Sequence, residues 1–400
     1  MCGCFQAHNL DFMYEPARHH FPNLAFLWPA LVAAQASEMT AFFARQFTAL
    51  AVGCDRPAIQ EPQWATPHTV AVELETVRLR DFTTAAGGAP ALLCAPFALH
   101  GAAVCDLAAG HSLVAALRNA GLGRLFVTDW RSATAEMRFL GIDDYLSGLN
   151  VLVDQIGAAV DLIGLCQGGW LALIYAARFP AKVRKLVLAA APIDIAAASS
   201  PLSALAEASP LAVFHELVRL GDGVIPGRNV LKFWGPEMVE PENIRQLLQT
   251  DAAIGSAAFA RLEAVFRDWY SWTLDLPGKY FIEVVERLYK RNELTAGSFI
   301  ALGQRVDLAK LNVPTFLLAA RDDELVAPPQ LFAVARLIGT APHDLRQATA
   351  PCRHVGLFMG KDILRDVWPA VARWLTEPPA INSTQVDRPM GERAIRAAAF

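Results

Sequence analysis

The sequence predicts an α/β protein, with a mostly parallel sheet, helices on both faces and a helical insertion. Three observations carry that expectation. Short apolar strands alternate with helix-forming segments over residues 66–192 and 301–376. The alternation breaks over 193–300, where the patterns are mainly helical. And "DLIGLCQGGWLALIYAARFP" at 161–180 reads as strand, sharp turn and helix, with a cysteine at the apex.

In chain order, residues 1–65 read as a helical extension containing "FPNLAFLWPALVAAQAS" and "EMTAFFARQFTAL". The first stretch is interrupted by Asn23, Pro29 and Gln35 and is short for a bilayer span, so packing is expected over membrane crossing. "VAVELETVRLRDF" alternates apolar and polar residues with period two and reads as one half-buried strand. "PALLCAPFA" and "RLFVTDW" are compact buried strands, and "HSLVAALRNAG" between them is a helix ended by Gly121. "IDDYLSGLNVLVDQIG" is a helix with Leu146, Leu149, Val153 and Ile156 on one face and Asp143 as its N-cap.

Beyond the central turn, "VRKLVLAAAP" is another buried strand. The segment 193–300 is expected to cap the sheet's C-terminal edge, with loops at "GDGVIPGRN" and "LDLPGK". It is rich in large rings: Phe233, Trp234, Phe266, Trp269, Tyr270 and Trp272. "VPTFLLAARDDELVAPPQ" returns to strand and loop over 301–376, followed by the helix "QLFAVARLIG", the weaker strand "HDLRQATA" and the closing helix "ILRDVWPAVARWLTE". Residues 377–400 read as a flexible tail.

Composition narrows the class. The chain is 54% hydrophobic and 18% charged, enough apolar material for a packed core. A net charge of -4 offers no basic field for nucleic acid. The cysteines, Cys2, Cys4, Cys54, Cys94, Cys105, Cys166 and Cys352, are odd in number and irregular in spacing. That argues for a reducing cytoplasm and against a disulfide framework. The start lacks a secretory pattern, and no metal-ligand spacing or phosphate loop is present, so no metal or bound cofactor is expected.

Gly164-x-Cys166-x-Gly168 is a nucleophile elbow with cysteine as the nucleophile. Small residues two positions either side let neighbouring backbone pass closely, and the following helix presents its positive end to the site. The Gln167 N–H is expected to supply one oxyanion donor, and Phe97 or Ala98 after the strand at 90–96 the second. A thiol needs a base and the base needs an orienting acid, in the chain order nucleophile, acid, histidine. Asp323 is the chosen acid, with neighbouring Asp322 as runner-up, one of the two being free to pair with Arg321. His354, in "APCRHVGLFMG", is the expected base; His343 lies earlier, beside Pro342. Asp129, at a strand end on the same sheet edge, reads as a loop or capping residue.

These segments together resemble the poly(3-hydroxyalkanoate) synthases and the related intracellular depolymerases. The resemblance spans roughly residues 90–375. It rests on "GLCQGGWLALIYAARFPAKVRKLVLAAAPID", "GSFIALGQRVDLAKLNVPTFLLAARDDELVAPP", "RHVGLFMG", "HSLVAALRNAGLGRLFVTDWRS" and "IDDYLSGLN". It implies an α/β-hydrolase fold in which Cys166 is acylated, His354 is the general base and Asp323 its partner. The implied substrates are 3-hydroxyacyl-coenzyme A thioesters and hydroxyalkanoate polyester. The implied setting is the cytoplasm or a polyester granule surface, with a second copy or a partner subunit. Two features depart from the synthase pattern: Glu324 stands where synthases carry histidine after the aspartate, and "HVGLFMG" leans toward the depolymerase form. Three functions follow for test: a synthase-like acyltransferase, a depolymerase or thioesterase on the same residues, and a non-catalytic granule-binding protein.

Overall fold

The computed structural model describes residues 60–231 and 236–377. The N-terminal helices expected before residue 60, the rings of Phe233 and Trp234, and the tail beyond residue 377 lie outside the described residues.

One eight-stranded sheet organises the chain. Its strands are β1 (Thr69–Glu73), β2 (Val77–Asp81), β3 (Ala91–Cys94), β4 (Leu125–Trp130), β5 (Val160–Leu165), β6 (Val183–Ala189), β7 (Thr315–Ala320) and β8 (Leu345–Ala350). Their spatial order is β1-β2-β4-β3-β5-β6-β7-β8. β2 runs antiparallel to both β1 and β4, and every pairing from β4 through to β8 is parallel. This is the strand order of the α/β-hydrolase fold. The central strands β3 and β5 are buried at every residue, as strands covered by helices on both faces must be.

The crossover helices follow from apolar spacing. The helix α1 (Leu113–Asn119) starts at Ser112, whose hydroxyl accepts from Ala115 N at 2.8 Å. In α2 (Ile142–Ile156), Leu146, Leu149, Val153 and Ile156 are all buried, and Gly157 ends the helix at φ 77°. The helix α3 (Gln167–Arg178) starts directly at Cys166.

Four local expectations are corrected. "VAVELETVRLRDF" is not one strand but the β1–β2 hairpin, because Leu74 N bonds Val77 O at 2.9 Å and turns the chain. Asp143 is not the N-cap of α2. Gly141 holds that place, Asp144 reaches back to Gly141 N at 2.7 Å, and Asp143 accepts from Leu302 N at 2.9 Å. The closing segment is two helices, Lys361–Asp366 and Trp368–Thr376, since Pro369 has no N–H to continue the first. "QLFAVARLIG" is likewise two short helices, Pro328–Phe332 and Val334–Leu337.

Between β6 and β7 the chain is mainly helical. It includes α4 (Pro201–Ala208), α5 (Leu211–Leu220), α6 (Pro241–Leu248) and α7 (Ala257–Ser271). The two expected loops pair with each other, Val224–Ile225 against Leu276–Pro277. The stretch after α7 is stitched to the loops that leave β3 and β4: Leu274 N bonds Leu99 O at 2.9 Å, and Ala133 N bonds Asp275 O at 2.9 Å. Those loops leave the C-terminal ends of parallel strands, where ligands bind in open α/β sheets. Among the described residues, no helix is long and apolar enough to cross a membrane.

Asp129 on β4 is neither a cap nor a loop residue. It is buried and takes Arg80 Nε at 2.8 Å and Nη2 at 2.6 Å, while Arg80 also reaches Glu61 at 3.0 Å and stacks over Trp64. Burial raises the Asp129 carboxyl, and Arg80 opposes that. Removing Arg80 leaves the buried carboxylate without its hydrogen-bonded partner, with only the more distant Arg78 at 3.7 Å. Arg80→Ala should destabilise the protein by about 3–5 kcal/mol at pH 7 in urea denaturation, with a smaller loss at acidic pH where Asp129 protonates. An equal loss at both pH values would contradict this account.

Candidate active site

Cys166 occupies a strained perch. Its backbone lies at φ 48° and ψ -119°, a region L side chains rarely adopt. The turn is possible because its flanking positions have no side chains. A Cβ on Gly168 would sit 2.2 Å from Cys94 O and 2.6 Å from Ala95 O, both backbone atoms of the neighbouring strand and its exit. A Cβ on Gly164 would sit 2.6 Å from the Gly169 Cα. The ladder continues into the turn, with Cys166 N donating to Ala189 O at 2.9 Å, so the strain is locked by the sheet itself.

His354 stands in the loop after β8 and is 4% exposed. Its Nδ1 lies 2.8 Å from Asp323 Oδ2 and 3.0 Å from Oδ1. Asp323 is in turn fixed by the N–H groups of Leu325 at 2.9 Å and Val326 at 2.8 Å, which both donate to Oδ1. Phe358 meets the imidazole edge-on with centroids 5.5 Å apart. Cys166 is close enough for its charge to act on the imidazole. Burial disfavours the imidazolium, but the charges on Cys166 and Asp323 and the hydrogen bond to Asp323 outweigh it, so His354 is held well above its ordinary range. The structure thus brings Cys166, His354 and Asp323 together. It does not bring Asp322, which is exposed and pairs with Arg321 at 3.2 Å.

Gln167 N–H is the first donor of α3 and has no partner within the helix. The N–H groups of Phe97 and Ala98 bond to no backbone or side-chain acceptor among the described residues. The Phe97 ring is clamped by Tyr145, stacked at 4.5 Å, and by Tyr280 and Trp130 at 5.0 and 6.0 Å. That clamp fixes the loop on which the second donor would stand.

The roles of two neighbours were not read from the sequence. Glu324 accepts from His354 N–H at 3.1 Å and pairs with Arg353 at 3.1 Å, so the residue that departs from the synthase pattern anchors the histidine loop. Tyr289 lies on a π-helical turn, Val284–Lys290. Its hydroxyl accepts from the Gln167 side-chain amide at 2.8 Å, and that amide's oxygen takes Trp170 Nε1 at 2.6 Å. Burial and the charge on Cys166 push the phenol up, so it stays protonated. Nothing in the sequence distinguished Tyr289 from a core ring.

The other described cysteines sit in a different electrostatic setting. Cys94 and Cys352 are pushed up to about 12 and Cys105 is also raised, in each case first by burial. Iodoacetamide at pH 7 should therefore label Cys166 before Cys94, Cys105 or Cys352. A raised His354 keeps its proton through the neutral range and loses it only as pH climbs through the raised value. Labelling of Cys166 at pH 7 should therefore slow in His354→Ala, which removes the cation beside the sulfur. Peptide mapping by mass spectrometry reads both; first labelling at Cys352 would contradict the assignment.

Residues 244–378 match the family model described as the PHB de-polymerase C-terminus. The poly(3-hydroxyalkanoate) polymerase subunit PhaC of a Synechocystis species is 32% identical over 290 residues, covering 68% of this chain and 74% of that protein. The subunit of the same name from Allochromatium vinosum is 28% identical over 270 residues, covering 63% of this chain and 71% of that protein. A solved structure titled as the putative non-heme bromoperoxidase BpoC of Mycobacterium tuberculosis is 16% identical with TM-score 0.49, covering 76% of this chain and 96% of that one. The strand order defines the fold without it. On its sequence relatives, the chain belongs to the poly(3-hydroxyalkanoate) polymerase family.

Proposed function

We propose that the chain is a synthase-like acyltransferase that takes 3-hydroxyacyl groups from coenzyme A thioesters onto Cys166. The observation that carries the reading is a cysteine on the elbow, electrostatically coupled to a buried histidine that a fixed carboxylate orients, in a chain of this family.

The chemistry follows from the groups present. The Cys166 sulfur attacks the thioester carbonyl, and the oxyanion is received by Gln167 N–H and an N–H of Phe97 or Ala98. The carbon–sulfur bond to coenzyme A breaks, and the leaving thiolate takes the proton that His354 holds. The products are coenzyme A and an acyl-cysteine. His354 then removes the proton from a polyester-chain hydroxyl, which attacks the acyl-cysteine. An ester forms, the cysteine–acyl bond breaks, and the sulfur returns to its starting state. Asp323 stabilises each imidazolium and keeps Nε2 aimed at the chemistry. Cysteine suits this cycle because one thioester is exchanged for another at nearly equal energy, leaving an acyl group still able to transfer.

A second reading is hydrolysis, with water replacing the chain hydroxyl in the last step. The family model matched over 244–378 carries a depolymerase description, and it is this match that supports the alternative. No particular observation favours the non-catalytic granule-binding reading. We further propose that the protein works on polyester in the cytoplasm or at a granule surface, with a second copy or partner subunit.

Purified protein given 3-hydroxybutyryl-coenzyme A should release free thiol and form high-mass polyester. Cys166→Ala should lower the release by about a thousandfold or more. Thiol release with only free hydroxy acid would select the hydrolytic reading. Undiminished release by Cys166→Ala would overturn both.

A further inference from the structure

Beside the loop that carries Phe97 and Ala98 is a group of polar atoms the reaction above does not use. Trp269 and Tyr270, at the end of α7, are 2% and 8% exposed. Their indole N–H and phenol O–H are buried and have no hydrogen-bond partner. Both rings face His100, at centroid distances of 4.5 and 5.0 Å. His100 follows Phe97 by three residues. Its Nδ1 lies 3.4 Å from Trp272 O, so Nδ1 carries the proton and Nε2 is left as an acceptor. Burial pushes the imidazole down to about 4, which keeps it neutral in the physiological range. Trp269 and Tyr270 belong to the apolar cluster against which Cys166 and Val355 pack.

Buried donors without acceptors are costly, and native proteins keep few of them. Two adjacent ones, on rings packed against a histidine with a free acceptor in the loop that carries Phe97 and Ala98, match a ligand that offers an acceptor and a donor close together. A hydroxyacyl ester has both: a carbonyl oxygen to accept and a terminal hydroxyl to donate.

We propose that Trp269 Nε1, Tyr270 O–H and His100 Nε2 form a subsite for a hydroxyacyl ester unit beside the oxyanion loop. The indole and phenol donate to the ester carbonyl, and the chain-end hydroxyl donates to His100 Nε2. This deepens the proposed function and rests on it for the choice of ligand, since His100 stands on the loop that carries the expected second oxyanion donor. It commits to the hydroxyester rather than to coenzyme A.

The test uses the full chain as Cys166→Ala, so that binding is read without turnover, with the linear trimer of 3-hydroxybutyrate as probe. Calorimetry should show binding by Cys166→Ala and a loss of about three- to tenfold when Tyr270→Phe is added. The same substitution should leave the probe-free melting temperature level or higher, because it deletes an unsatisfied buried hydroxyl. Trp269→Phe gives an independent second measure and should weaken the trimer in the same direction. A trimer capped at its hydroxyl by methylation should bind more weakly to Cys166→Ala than the free trimer. Unchanged trimer affinity in both ring variants, as expected if ordered water alone fills the gap, would overturn the proposal, as would no binding by Cys166→Ala. Thiol release from 3-hydroxybutyryl-coenzyme A by the unsubstituted protein is read separately, so failure of the acyl-transfer reading is distinguishable from failure of the subsite.

Discussion

The close approach of backbone at Gly168 governs the site. Where its Cβ would stand are the carbonyls of Cys94 and Ala95, at 2.2 and 2.6 Å. Only with that atom missing can α3 begin against the exit of β3. That contact sets the strained conformation of Cys166, places its side chain above the sheet edge, and brings the Gln167 N–H toward the loop that carries Phe97 and Ala98. The sheet ladder from Cys166 to Ala189 then holds the strain in place. A methyl group at residue 168 would therefore disturb strand, nucleophile and oxyanion donors together.

The second constraint is electrostatic. His354 is buried, and burial alone would strip its proton. Asp323 on one side and Cys166 on the other reverse that outcome. Asp323 can serve because two backbone N–H groups hold it, so it is not free to swing out to solvent. Glu324 holds the histidine's backbone rather than its ring. Adjacent carboxylates in one loop thus have three separate tasks: Asp322 pairs on the surface, Asp323 orients the ring, and Glu324 anchors the loop.

Much of this was legible in the sequence, for physical reasons. Parallel strands buried on both faces are nearly all apolar, so β3, β5, β6 and β7 stood out. The elbow was legible because its glycines are demanded by backbone contacts. The order of Cys166, Asp323 and His354 along the chain followed from the topology. The β1–β2 hairpin was not legible, because alternation runs almost unbroken through the turn at Leu74–Thr76. Asp143 looked like a cap because a carboxylate at a helix start is stabilising two residues inside the cap as well. The buried Asp129–Arg80 pair, the Tyr289 hydroxyl and the ring group around His100 depend on contacts between residues far apart in sequence. A tyrosine or tryptophan on a helix reads as core whether its polar tip is partnered or not.

The central claim is that Cys166 becomes covalently acylated, and it is tested most directly by trapping that bond. Protein mixed with 3-hydroxybutyryl-coenzyme A and quenched in acid within the first turnover should carry a hydroxyacyl group on the peptide containing Cys166. The adduct should be labile to hydroxylamine, as a thioester is, and absent from Cys166→Ala. An acyl group found on another residue, or coenzyme A released with Cys166 unmodified at every time point, would contradict the account.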